Sequence, residues 1–412
     1  MKNQIKDNLN QAAQLEQLFR SNPATFELAF NEIYPEIQSE LSAQIWHERL
    51  HATQETASWG SKTDWILLVI LAGLAAFFMQ VPDLFSISHD FYFPRNMSFF
   101  IIPSIGVYFA SKQPFSWGRL GLPIVILIIS AVFINFLPDG MRDTLILTCI
   151  HVPLLLWLLV GGLFSVDADL LTNRIAFLRF HGDLLVMTAV IALAGGLFSA
   201  LTVNLFRLID LPIETFYSRY VVLSALPSIP LLATFLVREN PNLVSKISPL
   251  IARIFTPIVA LMLLIFLVAM LYSGKDPYND REFLLIFNGV LIGVMALLLF
   301  STSETTKNLN VGIQRYFLLA LAILAFIDNG IALSAISFRL IEFGFTPNRL
   351  AVFGSNALIF INLFFVGRQL FLWNFGRASL RDLESSMTRF LPVYAFWAAV
   401  VSFVFPLIFM FQ

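Results

Sequence analysis

Long apolar stretches, repeated one after another from Trp65 to the end of the chain, constrain the fold more than any other feature of this sequence. A helix needs about 20 apolar residues to cross the roughly 30 Å of hydrocarbon in a bilayer. Eleven stretches near that length are predicted, with approximate cores at 65–81, 97–111, 122–137, 144–164, 184–205, 221–237, 254–272, 283–300, 316–338, 350–371 and 393–411. The expected fold class is all-α, a polytopic membrane bundle of about eleven transmembrane helices.

The composition supports a membrane environment and excludes several functional classes. The chain of 412 residues is 58% hydrophobic and 13% charged, whereas soluble domains carry about 25% charged residues. Its formal net charge of -1 is unsuited to neutralising many phosphates, so no nucleic acid partner is expected. A single cysteine, Cys149, excludes a disulfide or a thiolate zinc cluster within one chain.

The first sixty residues differ from the rest and predict a small helical domain. Their start, MKNQIKDNLNQ, has no apolar core behind its charges, so no cleavable signal peptide is predicted. Apolar residues recur at helical spacing from Ile5 to Phe19. Asn22 and Pro23 are a typical cap and first-turn pair for a second helix, and a third is predicted after Pro35.

These patterns divide the chain into a cytosolic helical domain over 1–62 and a transmembrane helical domain over 63–412. Lys and Arg concentrate in the cytoplasmic loops of membrane proteins. With the N-terminus inside, 18 of the 26 basic residues lie on the inner side and eight on the outer side. We therefore predict a cytoplasmic N-terminus and a periplasmic C-terminus. No internal duplication is visible, which argues against the inverted-repeat transporter folds.

Asp328 is the most informative polar residue, because it lies about twelve residues into the ninth predicted span. An ionised carboxylate in lipid costs several kcal/mol, so this residue should face the bundle interior, be paired or be protonated. Gly330 lies close to it and would let the helix open locally. We therefore predict that Asp328 belongs to a functional site.

Other polar residues of the spans favour one side of the membrane. In the predicted topology they all lie in the outer half, and they suggest a polar cavity open to the outer face with its floor near Asp328. A set of ordinary interhelical hydrogen bonds is the alternative. These residues are Asn135, His151, Asn204, Arg207, Asn288 and Asn356.

The connection after the ninth span is predicted to be a tight outer loop. The proline of Thr346-Pro347-Asn348 disfavours helix at Thr346, and Arg339 is placed to pair with Glu342 across one turn. Arg349 would donate to helix ends, as a structural clamp, or to an anionic group. No catalytic or metal-binding residues are predicted. The candidate substrate-binding residues are Asp328, Asn329, Arg339, Glu342, Arg349, Asn356, Arg207 and His151.

An HExxH string at His47-Glu48-Arg49-Leu50-His51 would place two imidazoles one turn apart on a helix, as in zinc proteases. Arg49 occupies an inner position that is usually uncharged, and no third ligand follows. We therefore favour a solvated helix face and expect no cofactor. An enzyme is less favoured than a transporter or scaffold, because a P-loop, a GxSxG motif and paired carboxylates within a span are missing from the sequence.

Three further patterns predict local structure. Small residues at four-residue spacing permit close helix packing, in Gly289 with Gly293 and in Ala192-Gly196-Ala200. The prolines Pro227 and Pro230 suggest a hinge in the sixth span. The inner loops 167–180 and 375–391 mix apolar residues with arginine, which is typical either of short helices at the membrane surface or of ordinary basic loops.

The segment Glu342-Phe343-Gly344-Phe345-Thr346-Pro347-Asn348-Arg349, within 339–350 and followed by Asn356, resembles one that recurs in an uncharacterised family of bacterial polytopic inner-membrane proteins. That permease-like family is known only as a domain of unknown function. The N-terminal helices also resemble the cytosolic prefix of some permease-like proteins. The resemblance implies a multi-pass protein of the bacterial inner membrane and brings no known substrate or catalytic residue.

Two functions follow from these features. The first is a permease-like protein that moves a small solute or a lipid-like substrate through an outward-facing polar cavity, with a proton coupled through Asp328. The alternative is a non-transporting sensor or scaffold whose cytosolic domain binds a partner protein through residues 1–60. Membrane lipids are expected partners in both cases.

Overall fold

The computed structural model describes residues 1–51, 59–140, 142–164, 169–208, 211–244, 247–273, 278–305 and 312–411. All regular secondary structure within these residues is helical. The chain forms two compact units, Met1–Ser58 and Trp59–Gln412. This division differs by about one helical turn from the boundary predicted after residue 62.

The N-terminal unit contains four helices, not three: α1 (Lys2–Asp7), α2 (Ala12–Ser21), α3 (Pro23–Ile37) and α4 (Leu41–His51). The Asn22 side chain accepts a hydrogen bond from the Thr25 N–H, so the predicted cap is present. The helix predicted after Pro35 is present as α4 but starts only at Leu41, because Pro35 lies inside α3 and that helix continues to Ile37. Phe26, Phe30 and other apolar side chains form a core within this unit.

The second unit consists of long helices joined by short connections. In the part of the chain that the structure describes, ten helical segments are long and apolar enough to cross a membrane, and the last of them is Leu380–Ile408. The chain therefore has the architecture of a multi-pass membrane protein. The helices are α5 (Lys62–Phe85), α6 (His89–Ser111), α7 (Trp117–Phe136), α8 (Asp143–Leu163), α9 (Leu170–Arg207), α10 (Glu214–Glu239), α11 (Ile247–Ser273), α12 (Arg281–Thr305), α13 (Gln314–Phe343), α14 (Pro347–Asn374), α15 (Leu380–Thr388) and α16 (residues 391–408).

Helix α6 contains the second predicted span but is not among the ten apolar segments. Its first turns carry Asp90, Arg95 and Asn96, which lower its mean hydropathy. The helix packs against α5, α7, α8 and α10, and Arg95 is only 2% exposed. Because it faces protein on several sides, α6 needs less apolar surface than a lipid-facing helix.

Polar contacts show that α6 runs antiparallel to α5 along its whole length. At one end Asp64, in the first turn of α5, pairs with Lys112 at 2.8 Å. At the other end Asp83, near the last turn of α5, contacts His89 at 3.1 Å. The 23 residues of α6 span about 35 Å at 1.5 Å per residue. We call these two sides of the second unit the Asp64 end and the Asp83 end.

Contacts between helix ends place the last described residues at the Asp83 end. The amide of Asn96, early in α6, pairs with that of Asn135, late in α7, at 3.0 Å. Arg142, just before α8, donates to the Phe411 carbonyl at 2.9 Å. The second unit therefore begins at the Asp64 end and finishes at the opposite end.

The two inner loops differ from each other in structure. The described part of 167–180 belongs to α9, a single helix of 38 residues, so a separate surface helix is not present there. The 375–391 loop does contain a short helix, α15, which begins with a capping box formed by Ser379 and Asp382. Leu383 and Met387 of α15 are fully buried, which docks this helix onto α9 and α14.

Close helix packing uses other glycines than the predicted ones. Among the described residues, a methyl group added at Gly289, Gly293 or Gly196 would meet no atom within 4 Å. A methyl group at Gly182 would lie 2.0 Å from the Phe300 ring, and a methyl group at Gly354 would lie 2.0 Å from the ring of Trp397 on α16. The spaced small-residue motifs thus lie on open surface, whereas isolated glycines permit the close contacts.

The predicted hinge in the sixth span coincides with a break in α10. A π-helical segment over Tyr217–Val222 precedes it, and the regular helix resumes at Ser228, directly after Pro227. Gln80 of α5 reaches this region and donates to the Ser224 hydroxyl at 2.8 Å. Departures of this kind from regular α-helix are common where membrane helices open or bend.

Candidate functional site: a buried amide chain beside Asp328

Three asparagine side chains from three helices form a continuous hydrogen-bonded chain inside the second unit. The Asn329 amide of α13 donates to Asn356 Oδ1 of α14 at 3.0 Å. The Asn356 amide donates to Asn288 Oδ1 of α12 at 2.7 Å, and Asn288 donates to the Leu284 carbonyl at 2.6 Å. We call Asn329, Asn356 and Asn288 the amide chain. It links three helices that follow one another in the chain.

The local sequence explains why α13 and α14 approach closely at this level. The buried face of α13 is lined by small residues such as Ala325 and Ala332, which allow close helix contact. Gly344, with φ of +76°, ends α13. The Thr346 hydroxyl then accepts from the Arg349 N–H, so α14 starts at once with a capped first turn. The predicted tight loop between the two helices is therefore present.

Asp328 lies directly beside the amide chain and is sealed from solvent. Both Asp328 and Asn329 are 0% exposed. Among the described residues, neither carboxyl oxygen of Asp328 has a hydrogen-bond partner, and neither does Asn329 Oδ1. An ionised carboxylate in such a place costs several kcal/mol. A bound proton removes that cost, and a small cation held by these oxygens would do the same.

The arginines at the end of α13 and the start of α14 form structural contacts away from Asp328. Arg349 donates to the carbonyls of Phe343 and Gly344 at 2.7 and 2.8 Å, and so caps the end of α13. Arg339 donates to the Asn279 carbonyl at 3.2 Å. The expected ion pair between Arg339 and Glu342 is not formed within the described structure. Of the two roles considered for Arg349, its contacts are those of the structural clamp.

The remaining candidate residues form separate local pairs. Arg207 pairs with Glu214 at 2.8 Å at the exposed end of α9. The His151 ring contacts the Leu147 carbonyl of its own helix at 2.8 Å. Asn204 likewise bonds to the Ala200 carbonyl of its own helix. The structure thus brings together Asp328, Asn329, Asn356 and Asn288 and keeps the other predicted site residues apart. The predicted outward-facing cavity does not reach Asp328 in this conformation.

The HExxH string occupies the last two turns of α4 in the N-terminal unit. The His47 ring stacks on Tyr34 with ring centres 3.8 Å apart. Arg49 lies over the Trp46 ring and pairs with Glu16. The described residues contain no group of three or more metal-ligating side chains, and the side chain of the second histidine lies outside them.

Hydrogen bonds from Arg49, and then from Arg20, lower the pKa of Glu16 in the N-terminal unit to about 2. Glu16 is therefore ionised at neutral pH and held between two cations. In the part of the string that the structure describes, Arg49 takes part in this ion-pair cluster and His47 stacks on Tyr34, so this helix face makes structural contacts and is not simply solvated as predicted.

An ionic cluster at the Asp64 end was not predicted. Arg179 donates to the Ser303 carbonyl at 2.8 Å and pairs with Glu384 of α15 at 3.0 Å. It thereby ties α9, α12 and α15 together. Arg179 was assigned only to a basic loop, and the sequence offers no signal for its partners, because they lie 124 and 205 residues away.

Comparison of the chain with protein-family models, with curated proteins and with solved structures finds no match. The fold and the site geometry therefore carry the functional argument by themselves.

Proposed function

We propose that this chain is a permease-like protein of the bacterial inner membrane that moves a small solute or a lipid-like substrate and couples this movement to proton binding at Asp328. The single observation that carries the proposal is the fully buried Asp328 carboxyl, which has no hydrogen-bond partner among the described residues. Intramembrane carboxylates with this environment are typical of proton relays and coupling sites.

The proposed topology has eleven crossings, a cytoplasmic N-terminal unit and a periplasmic C-terminus. The antiparallel course of α6, together with the opposite positions of Asp64 and Phe411, supports an odd number of crossings. The basic residues concentrate at the Asp64 end, as expected for the cytoplasmic side. In this topology Asp328 lies roughly halfway along α13.

The amide chain is suited to couple the protonation state of Asp328 to the packing of the neighbouring helices. Asn329 follows Asp328 directly on α13, and its amide continues through Asn356 to α12. When Asp328 releases its proton, the ionised carboxylate needs water or a counter-ion, so the closed packing becomes unfavourable. We propose that this step opens the outward-facing cavity and breaks the amide chain, which reforms when a proton binds again.

A transport assay tests this function. The purified full chain is placed in proteoliposomes that contain a pH-sensitive dye, and a panel of small solutes and lipid-like compounds is added outside. We expect at least one compound to drive proton movement in the wild type. Asp328→Asn should abolish it while the protein elutes and unfolds normally. Asp90→Asn, at an exposed carboxylate of α6, is the matched control and should retain it. Equal proton movement in Asp328→Asn and wild type would contradict the proposal.

The sensor or scaffold function remains the second candidate, because the N-terminal unit exposes apolar side chains. Leu41 and Ile45 of α4 are 69% and 58% exposed, and Leu28 of α3 is 71% exposed. Exposed apolar surface of this kind marks protein interaction sites. If a partner binds here, deletion of residues 1–60 should abolish function while Asp328→Asn leaves it intact. The transport proposal predicts that Asp328→Asn abolishes function.

A further inference from the structure

An apolar groove lies between α6, α7 and α8 at the Asp64 end, far from the amide chain in the fold. Its volume is about 440 Å³, within the range of about 300–1,000 Å³ found for ligand pockets. Val107, Ile124, Leu127 and Leu156 belong to its wall. The groove is therefore suited to a hydrocarbon chain and not to a polar solute.

One arginine lines the groove and a second lines the cavity next to it, and neither has an acidic partner among the described residues. Arg119 lines the groove and also lines an adjoining cavity of about 350 Å³, where Arg174 is a second wall residue. Neither arginine forms an ion pair or side-chain hydrogen bond among the described residues. Nearby charges are already neutralised, since Lys112 pairs with Asp64 and Arg381 pairs with Asp169. Two unpaired cations beside one cavity favour the binding of an anion there.

Aromatic residues place the mouth of the groove at the membrane surface. Phe115 and Trp117 are 69% and 71% exposed, and their rings meet edge to face with centres 5.2 Å apart. Exposed aromatic residues at the end of a membrane helix lie at the level of the lipid headgroups. Helix α7 starts directly after Ser116, which lies between them, and the positive end of the helix dipole adds to the attraction for an anion.

We propose that this groove binds an anionic phospholipid from the leaflet at the Asp64 end, with an acyl chain between α6, α7 and α8 and the phosphate held by Arg119 and Arg174. The apolar wall selects a lipid over a soluble anion, and the two guanidinium groups select an anionic headgroup over a neutral one. The site does not involve Asp328, so it stands independently of the proposed transport mechanism.

Lipid retention by the full chain tests the site. The protein is purified from vesicles of equal phosphatidylglycerol and phosphatidylcholine content, and the lipid that stays bound is identified by native mass spectrometry. The wild type should retain phosphatidylglycerol in preference. The double variant Arg119→Gln/Arg174→Gln should retain at least about tenfold less phosphatidylglycerol than the wild type, because each basic residue near the membrane surface contributes to the binding of anionic lipid. Arg253→Gln, at an exposed arginine of α11 outside both cavities, should leave retention unchanged.

A second pair of variants tests the groove without changing charge. Val107→Trp fills the groove and should displace the lipid, whereas Val125→Trp lies on an equally exposed position of α7 that does not line it. Inorganic phosphate should not compete with the lipid. Equal retention of the two lipids by the wild type, unchanged retention in the double arginine variant, or full displacement by inorganic phosphate would overturn the proposal. Asp328→Asn should retain the lipid as the wild type does.

Discussion

Replacing Gly354 with alanine tests the closest helix contact in the second unit. The added methyl group would lie 2.0 and 2.3 Å from two ring carbons of Trp397 on α16, so the ring or the helix must move by about 1.5 Å to reach a normal contact. The Trp397 indole N–H donates to the Ser355 hydroxyl at 3.0 Å, and the ring packs edge-on against Phe405. Overpacking costs about 1–3 kcal/mol, and loss of the hydrogen bond adds about 0.5–1.5 kcal/mol.

We therefore expect Gly354→Ala to lower the free energy of unfolding by about 2–4 kcal/mol. Thermal unfolding in detergent, followed by size-exclusion chromatography, measures the loss as a fall in Tm. Gly293→Ala is the matched control, because a methyl group there meets no atom within 4 Å and alanine favours helix by about 1 kcal/mol. Trp397→Leu should relieve the clash, so the double variant should be no less stable than Trp397→Leu alone. Equal stability of Gly354→Ala and Gly293→Ala would refute the reasoning.

Three further predictions use the same structure. Asn356→Ala removes both side-chain links of the amide chain and should destabilise the protein by about 1–3 kcal/mol in SDS unfolding; unchanged stability would show that the chain does not form. Arg349→Gln uncaps α13 and should increase amide hydrogen exchange at its last turn, with the rest of the helix unaffected. The free energy of unfolding of residues 1–58, followed by Trp46 fluorescence, should be greatest above pH 4.5 and should fall as the pH drops through about 2, because Arg49 lowers the pKa of Glu16. The same pH profile in Glu16→Gln would contradict this prediction.

The hydropathy pattern was sufficient to predict the helical membrane architecture. Runs of about 20 apolar residues have few other solutions, and the described residues contain ten such helices. The second predicted span shows the limit of the method. Arg95 and Asn96 make α6 too polar for a lipid-facing helix, but α6 packs against α5, α7, α8 and α10. Hydropathy measures apolar content and does not distinguish a lipid neighbour from a protein neighbour.

Part of the candidate site was also predictable, because a carboxylate in the middle of a span has a high energetic cost. Sorting polar residues by depth grouped Asn288 and Asn356 with Asp328, and the structure joins both amides to the neighbouring Asn329. The same sorting also included Arg207 and His151, which lie elsewhere in the unit. The depth of a residue in the membrane does not tell which neighbouring helix it faces. That also depends on how each helix is rotated about its axis, which is set by packing that the sequence does not show.

The roles of the arginines and glycines depended on contacts that no motif encodes. Arg349 caps α13 through backbone carbonyls, and every residue type supplies such carbonyls, so the sequence left capping and anion binding open. Spaced glycines predicted close packing at Gly293, whereas Gly182 and Gly354, neither of which has a glycine four residues away, form the tight contacts. Four-residue spacing indicates a shared helix face but not what covers that face.

The protonation state of the Asp328 carboxyl tests the central claim most directly. Infrared spectra of the purified wild type, Asp328→Asn and Asp90→Asn are compared at neutral pH in the carbonyl region of protonated carboxylic acids. The account predicts a band from a protonated acid in the wild type and in Asp90→Asn that is lost in Asp328→Asn. Identical bands in all three proteins would contradict a buried, proton-binding Asp328.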